Sequence, residues 1–272
     1  MKKKTCLGLL AALLALFLAA CSGSDPLAAA QKNLQKASSM DAKMVMTMDM
    51  EVVGETLETV TTMETSVFTS PSRLKLDMSM NMGALGSLSA VLYAEETSEG
   101  TYAMYTYDGQ QWHSETAAAS QLEEYDFSGD MDYYITSASS LTQEGVEELG
   151  GVSAYKYTGA ISGDAMREVM LKSGALDSLT ASMDMDQETL SEMLDGLDDI
   201  AVALWIGEEE LYPLQLHMDM TSVINGLMSR LLEDMGGQSG GEAFRVSQMS
   251  VTLTYSNFNN ATDFTIPQEA LA

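Results

Sequence analysis

Two cysteines, two histidines and thirteen basic residues are few for a chain of 272 residues. Each scarcity excludes something. Beyond Cys21 there is no further cysteine, so the main body of the chain can form no disulfide and depends on its core alone. His113 and His217 stand apart from each other and from any nucleophile pattern. No Ser-His-Asp arrangement, Gly-x-Ser-x-Gly elbow or His-Glu-x-x-His motif occurs, so no enzyme activity is expected. Asp184, Asp186 and Glu188 alternate like a calcium loop, but the glycine and terminal glutamate of such a loop are missing. Asp126 to Asp132 reads as an acidic turn. No metal and no cofactor is expected. Against the thirteen basic residues stand forty acidic ones, for a net charge of −27. Such a surface repels nucleic acid, which is excluded as a partner. The bland reading of the charge is solubility; the sharper one is steering of a cationic partner.

What is present begins at the N-terminus. Lys2, Lys3 and Lys4 precede an apolar stretch from Leu7 to Ala20 that ends in Leu18-Ala19-Ala20-Cys21. A basic start, a short apolar middle and small residues before a cut site make a secretory signal over residues 1–20. The stretch is too short to span a bilayer, which takes about 20 apolar residues. The Cys21 junction resembles the lipobox of bacterial lipoproteins. That resemblance implies a diacylglyceride on the Cys21 sulfur, acyl chains such as palmitate, and cleavage just before Cys21. An ordinary secretory signal with an incidental cysteine is the alternative. Two or more acyl chains hold a protein stably on a membrane. The expected location is therefore the extracytoplasmic face of the cell membrane, lipid-anchored. Residues 21–26 read as a short lipidated tether and 27–272 as one domain.

Within that domain Leu27 to Ser39 has helical spacing. Lys43 to Val53 then alternates Met44, Met46, Met48 and Met50 with Val45, Thr47, Asp49 and Glu51, the signature of a half-buried strand. Thr56 to Phe68 reads as its hairpin partner. Leu74, Leu76, Met78 and Met80 repeat the alternation, and Gly83 to Ser89 reads as a flexible loop. Further strands are expected at 91–93 and 102–107, the latter turning at Asp108-Gly109. A helix is expected near 131–138. Leu141–Leu149 and Val152–Ile161 read as a hairpin, followed by a helix starting at Ser162-Gly163-Asp164 and another capped by Asp186. Ile200–Ile206 and Leu211–Met220 flank a turn, the second strand alternating Leu214, Leu216, Met218 and Met220 against Gln215, His217 and Asp219. An amphipathic helix from Ile224 to Leu232, a Gly-rich loop at 236–241 and a closing strand through Tyr255 complete the pattern. Ile266-Pro267 is taken as the end of the ordered part.

Short connections favour an antiparallel meander, and one-sided strands need a cover. The lipobox, the Ala-rich first helix, the Met-x-Met strand, the Trp205…Tyr212-Pro213-Leu214 hairpin and the closing Tyr255-Ser256-Asn257-Phe258…Ile266-Pro267 are together similar to lipoproteins of Gram-positive bacteria. These resemble, more distantly, the LolA/LppX-like superfamily of lipid and lipoprotein carriers. The resemblance implies an α+β fold: a curved antiparallel sheet, or half-open β-barrel, whose concave apolar face is covered by helices. In the carriers the space between holds acyl chains.

Twenty-two methionines need an account. Core packing is one, since methionine fills gaps. A deformable ligand cavity is another, because thioether side chains adapt to ligands without a fixed shape. Cu(I) ligation is a third, weakened by the lack of Cys and His on the Met faces. The candidate lining is Met44, Met46, Met48, Met50, Leu74, Leu76, Met78, Met80, Trp205, Leu214, Leu216, Met218 and Met220. The leading expectation is a membrane-anchored lipoprotein binding an acyl chain or lipid there. The alternative is a non-enzymatic surface lipoprotein with a filled core, whose acidic surface meets an unidentified protein partner.

Overall fold

The computed structural model describes residues 25–52, 55–98, 100–119, 122, 131, 133–136, 138–172, 192, 194–234 and 244–271. Cys21, Asp126 to Asp130, the trio Asp184, Asp186 and Glu188, and the Gly-rich loop at 236–241 lie outside them.

Helix α1 is Pro26–Leu34. Asp25 caps it by accepting the Leu27 N–H at 3.1 Å, and Pro26 occupies the first turn, where no N–H is needed. Six strands follow: β1 Ser39–Val52, β2 Glu55–Thr69, β3 Ser72–Asn81, β4 Ser87–Ser98, β5 Thr101–Tyr107 and β6 Trp112–Ala118. The second half holds β7 Ala138–Leu149, β8 Val152–Ile161, α2 Gly163–Lys172, β9 Ile200–Gly207, β10 Pro213–Asp219, α3 Thr221–Asp234 and β11 Phe244–Ser256. Among the described residues no helix is long and apolar enough to cross a membrane.

All eleven strands form one antiparallel sheet in the order β6-β5-β4-β3-β2-β1-β11-β10-β9-β8-β7. Two meanders run outward and back, and they meet where β1 pairs with β11. The sheet is open and curved, with β6 and β7 as its edges. This is the α+β architecture expected from one-sided strands and short turns.

One face carries the helices. Leu34 of α1, Met166 of α2 and Val223 of α3 join Met40, Leu204, Leu216, Met218 and Tyr255 in the main hydrophobic cluster. A smaller cluster of Leu74, Leu76, Leu92 and Ala94 lies on the same face of β3 and β4. α1 lies against β9 and β10, and Asn33 pins it by donating to the carbonyls of Glu210 and Leu211. Helix α3 does more than cover. Strand β10 ends at Asp219, leaving the rest of β11 without a strand neighbour on that side. There Asn225 accepts from the Val246 N–H and donates to the Val246 carbonyl, while the Thr221 hydroxyl accepts from the Met249 N–H. Side chains of α3 thus complete the hydrogen bonds of an otherwise open strand edge.

The opposite face is crossed by the C-terminal segment. Asp41 accepts from Asn257 and from the backbone and hydroxyl of Thr262. Arg73 binds Asp263 at 2.7 Å, donates to the Phe264 carbonyl and stacks over the rings of Phe68 and Phe264. A 3-10 turn at Gln268–Leu271 then packs on β5 and β6, with Ala270 buried. Ile266-Pro267 is therefore not the end of order; aromatic stacking and Arg73 carry the chain onward. Two other expectations also change. β4 starts at Ser87, so the loop after Met82 shrinks to a 3-10 turn at Gly83–Leu85, because Met80 and Asn81 pair with Leu88 and Ser87. Leu194 and Leu197 lie in a turn and its exit rather than in a helix.

Candidate functional site

Strand register places the predicted lining residues in rungs across the helix-bearing face. One rung reads Met218, Val251, Met46, Thr61, Met80, Leu88 from β10 to β4. The next reads Leu216, Leu253, Met44, Met63, Met78, Ala90. A third brings Tyr255, Ala42, Thr65, Leu76 and Leu92 into line, and Met48 lies between Met249 and Thr59. Period two in three separate strands becomes one continuous thioether-rich surface once the strands pair.

The surface has two kinds of territory. Leu216, Met218 and Met220 are buried in the main cluster, and Leu74 and Leu76 in the smaller one. Met44 packs against the main cluster while half-buried. Met46, Met48, Met50, Met78 and Met80 are also half-buried, and belong to neither cluster. At their end of the sheet Leu85 and Leu88 are 69% and 61% exposed. The stripe therefore runs from a packed core to an apolar rim open to solvent.

Two predicted lining residues do not join it. Trp205 follows Leu204 in β9 and so points to the opposite face, where its indole N–H donates to Glu147 and Lys156 lies 5.1 Å from the ring. That indole bond, helped by Lys156, holds the Glu147 carboxyl below its usual range. Leu214 sits at an irregularity in the β9–β10 register, over Gly207. It lines a cleft of about 780 Å³ at the turn end of β7–β10 together with Val152, Glu209, Glu210, Tyr212 and Phe258. Tyr212 and Phe258 stack there at 4.1 Å. Among the described residues no methionine lines that cleft.

The threonines of β2 were not among the predicted site residues. Thr59, Thr61 and Thr65 are buried on the Met-bearing face, and the hydroxyls of Thr61 and Thr65 have no hydrogen-bond partner among the described residues. Their signal in the sequence was the same alternation that marks the methionines, with Glu58, Thr62 and Glu64 on the other side. On β8 the phenol of Tyr157 is likewise buried and without a hydrogen-bond partner among the described residues; burial pushes its pKa up, with the nearby charge of Asp25 adding to the effect. The basic side chains of this half, Lys43, Arg73 and Lys75, alternate onto the opposite face and pair there with Glu64, Asp263 and Asp77. Apart from Glu55 at the start of β2, the Met-bearing face of β1 to β3 is thus apolar and dotted with hydroxyls.

The class this architecture defines is an open, curved antiparallel sheet with one apolar, partly helix-covered face. The chain belongs to a family of unknown function, DUF6612, whose model matches residues 26–272. No curated protein matches it. Among solved structures it is similar to the lipoprotein LppX of Mycobacterium tuberculosis, at 14% identity, over 89% of this chain and 100% of that one, with a TM-score of 0.47. It is similar also to LprF of Mycobacterium bovis, at 14% identity, over 90% of this chain and 95% of that one, with a TM-score of 0.48.

Proposed function

We propose that the protein is a membrane-anchored, extracytoplasmic lipoprotein that binds a hydrophobic ligand on the Met-bearing face of β1 to β3 and catalyses nothing. The observation that carries this is the half-buried stripe of Met46, Met48, Met50, Met78 and Met80, which fills neither hydrophobic cluster and ends at exposed Leu85 and Leu88. Unbranched thioethers can rearrange to admit an acyl chain. Each Å² of ligand and stripe removed from water would contribute on the order of 25 cal/mol. Cys21, acylated, would hold the domain at the membrane, the source of such ligands. The 780 Å³ cleft and Trp205 have no part in this reading.

Native mass spectrometry of the gently extracted protein is the test. Copurifying lipid is expected on the wild type and its loss on Met46→Asp with Met80→Asp, because a charge in an apolar stripe repels hydrocarbon. Wild-type protein that never carries lipid, or variants that carry it undiminished, would overturn the proposal.

A second reading has its own support. Leu216, Met218 and Met220 are sealed into a packed cluster with α1 and α3, as a filled-core interaction lipoprotein would require. Recovery of a stable protein partner with no lipid would favour it.

A further inference from the structure

We propose that Thr61 and Thr65 make the Met-bearing face selective for uncharged lipids that carry ester carbonyls, by donating their hydroxyls to those carbonyls. This rests on the ligand-binding reading above and adds which lipid the face accepts. Thr61 is 4% exposed and Thr65 3%, and among the described residues neither hydroxyl has a partner. A buried donor without an acceptor is costly, so each is a poor residue for a merely packed face. Valine has the same shape without that cost.

Neighbours restrict what the acceptor can be. Thr61 lies between Met46 and Met80, and Thr65 between Ala42 and Leu76, so the side chains directly across from each offer no oxygen or amide acceptor. Lys43, Arg73 and Lys75 are all committed on the other face. A phosphate or free carboxylate would be buried without a counter-charge, at prohibitive cost. A neutral ester oxygen accepts one hydrogen bond and asks for nothing else. The two hydroxyls sit four residues apart on one strand, roughly 13 Å. They therefore address separate points along an extended ligand.

The test uses the full-length protein in mild detergent, stripped of lipid, with dioleoylglycerol, oleate and the hydrocarbon squalene as probes in a fluorescent-lipid displacement assay. Wild type should prefer dioleoylglycerol to oleate. Thr61→Val and Thr65→Val should each weaken dioleoylglycerol by about tenfold and leave squalene within about twofold, while Thr61→Ser and Thr65→Ser retain most of the affinity. The ligand-free valine variants should also melt a few degrees higher, because an unpartnered buried donor has gone. Unchanged dioleoylglycerol binding, or an equal loss for both probes, overturns the selectivity and leaves the hydrophobic site intact. A wild type that binds no probe overturns the site itself and this inference with it.

Discussion

A single carboxylate joins the first strand to the C-terminal segment. Asp41 accepts from Asn257 and twice from Thr262, with Ser66 also in reach. Partial burial pushes its pKa upward, but these hydrogen bonds outweigh that and hold it below the ordinary carboxylate value. A lowered folded pKa means that the unfolded chain takes up the proton first. The stabilisation is therefore complete above the ordinary carboxylate range and is lost as pH falls through the folded value. Asp41→Ala should cost about 1–2 kcal/mol at neutral pH. The gap between variant and wild-type melting temperatures should narrow as the pH is lowered below the ordinary carboxylate range; a gap independent of pH would refute the assignment. At this scale the methionines were legible, since a two-residue period needs no partner strand to be seen. Trp205 was not placed correctly, because one residue's slip in phase moves a side chain to the other face. Thr61 and Thr65 escaped notice because threonine is at home on either side of a strand.

Helix α3 and strand β11 show how an element's role exceeds its pattern. The amphipathic spacing of Ile224 to Leu232 predicted the helix, yet nothing in that spacing tells that Asn225 would finish a strand edge. Its pair of bonds to the Val246 backbone measure 2.8 and 3.1 Å. Asn225→Ala would leave both backbone groups unpaired and should lower stability by about 2 kcal/mol, with faster amide exchange at Val246 as the local readout. Unaltered exchange there would contradict the edge-completing role. Helix α2 poses the converse case. Ser162 and Gly163 predicted its start correctly, but the need for glycine is tertiary: a Cβ on Gly163 would lie 1.8 Å from the Leu197 carbonyl oxygen. The Gly163 N–H also donates to Asp199. Gly163→Ala should therefore destabilise by about 1–3 kcal/mol, measured by denaturant unfolding. A neutral substitution would mean that the segment ahead of β9 yields freely.

Across the whole molecule, hairpins were readable from adjacent patterns and turn residues, whereas the seam between β1 and β11 was not, since more than two hundred residues can lie between paired positions such as Asp41 and Ser256. The same seam brings Met46 and Met48 against Val251 and Met249, and so joins stretches of apolar strand that are remote in sequence into one stripe. The C-terminal segment then crosses the other face, and its aromatic anchor on Arg73 fixes which face remains available. With a net charge of −27 the molecule would be repelled from anionic headgroups, so attraction of the folded domain to a membrane cannot come from its surface charge. An acyl anchor at Cys21, as proposed, would resolve that conflict, because apolar insertion of two or more chains outweighs a modest electrostatic repulsion. In cells fed an isotopically labelled fatty acid, label should enter the wild-type protein and sediment with membranes, and should be absent from Cys21→Ser. Equal labelling of both would show that the cysteine is incidental, and the stripe would then have to find its ligand without being held beside the bilayer.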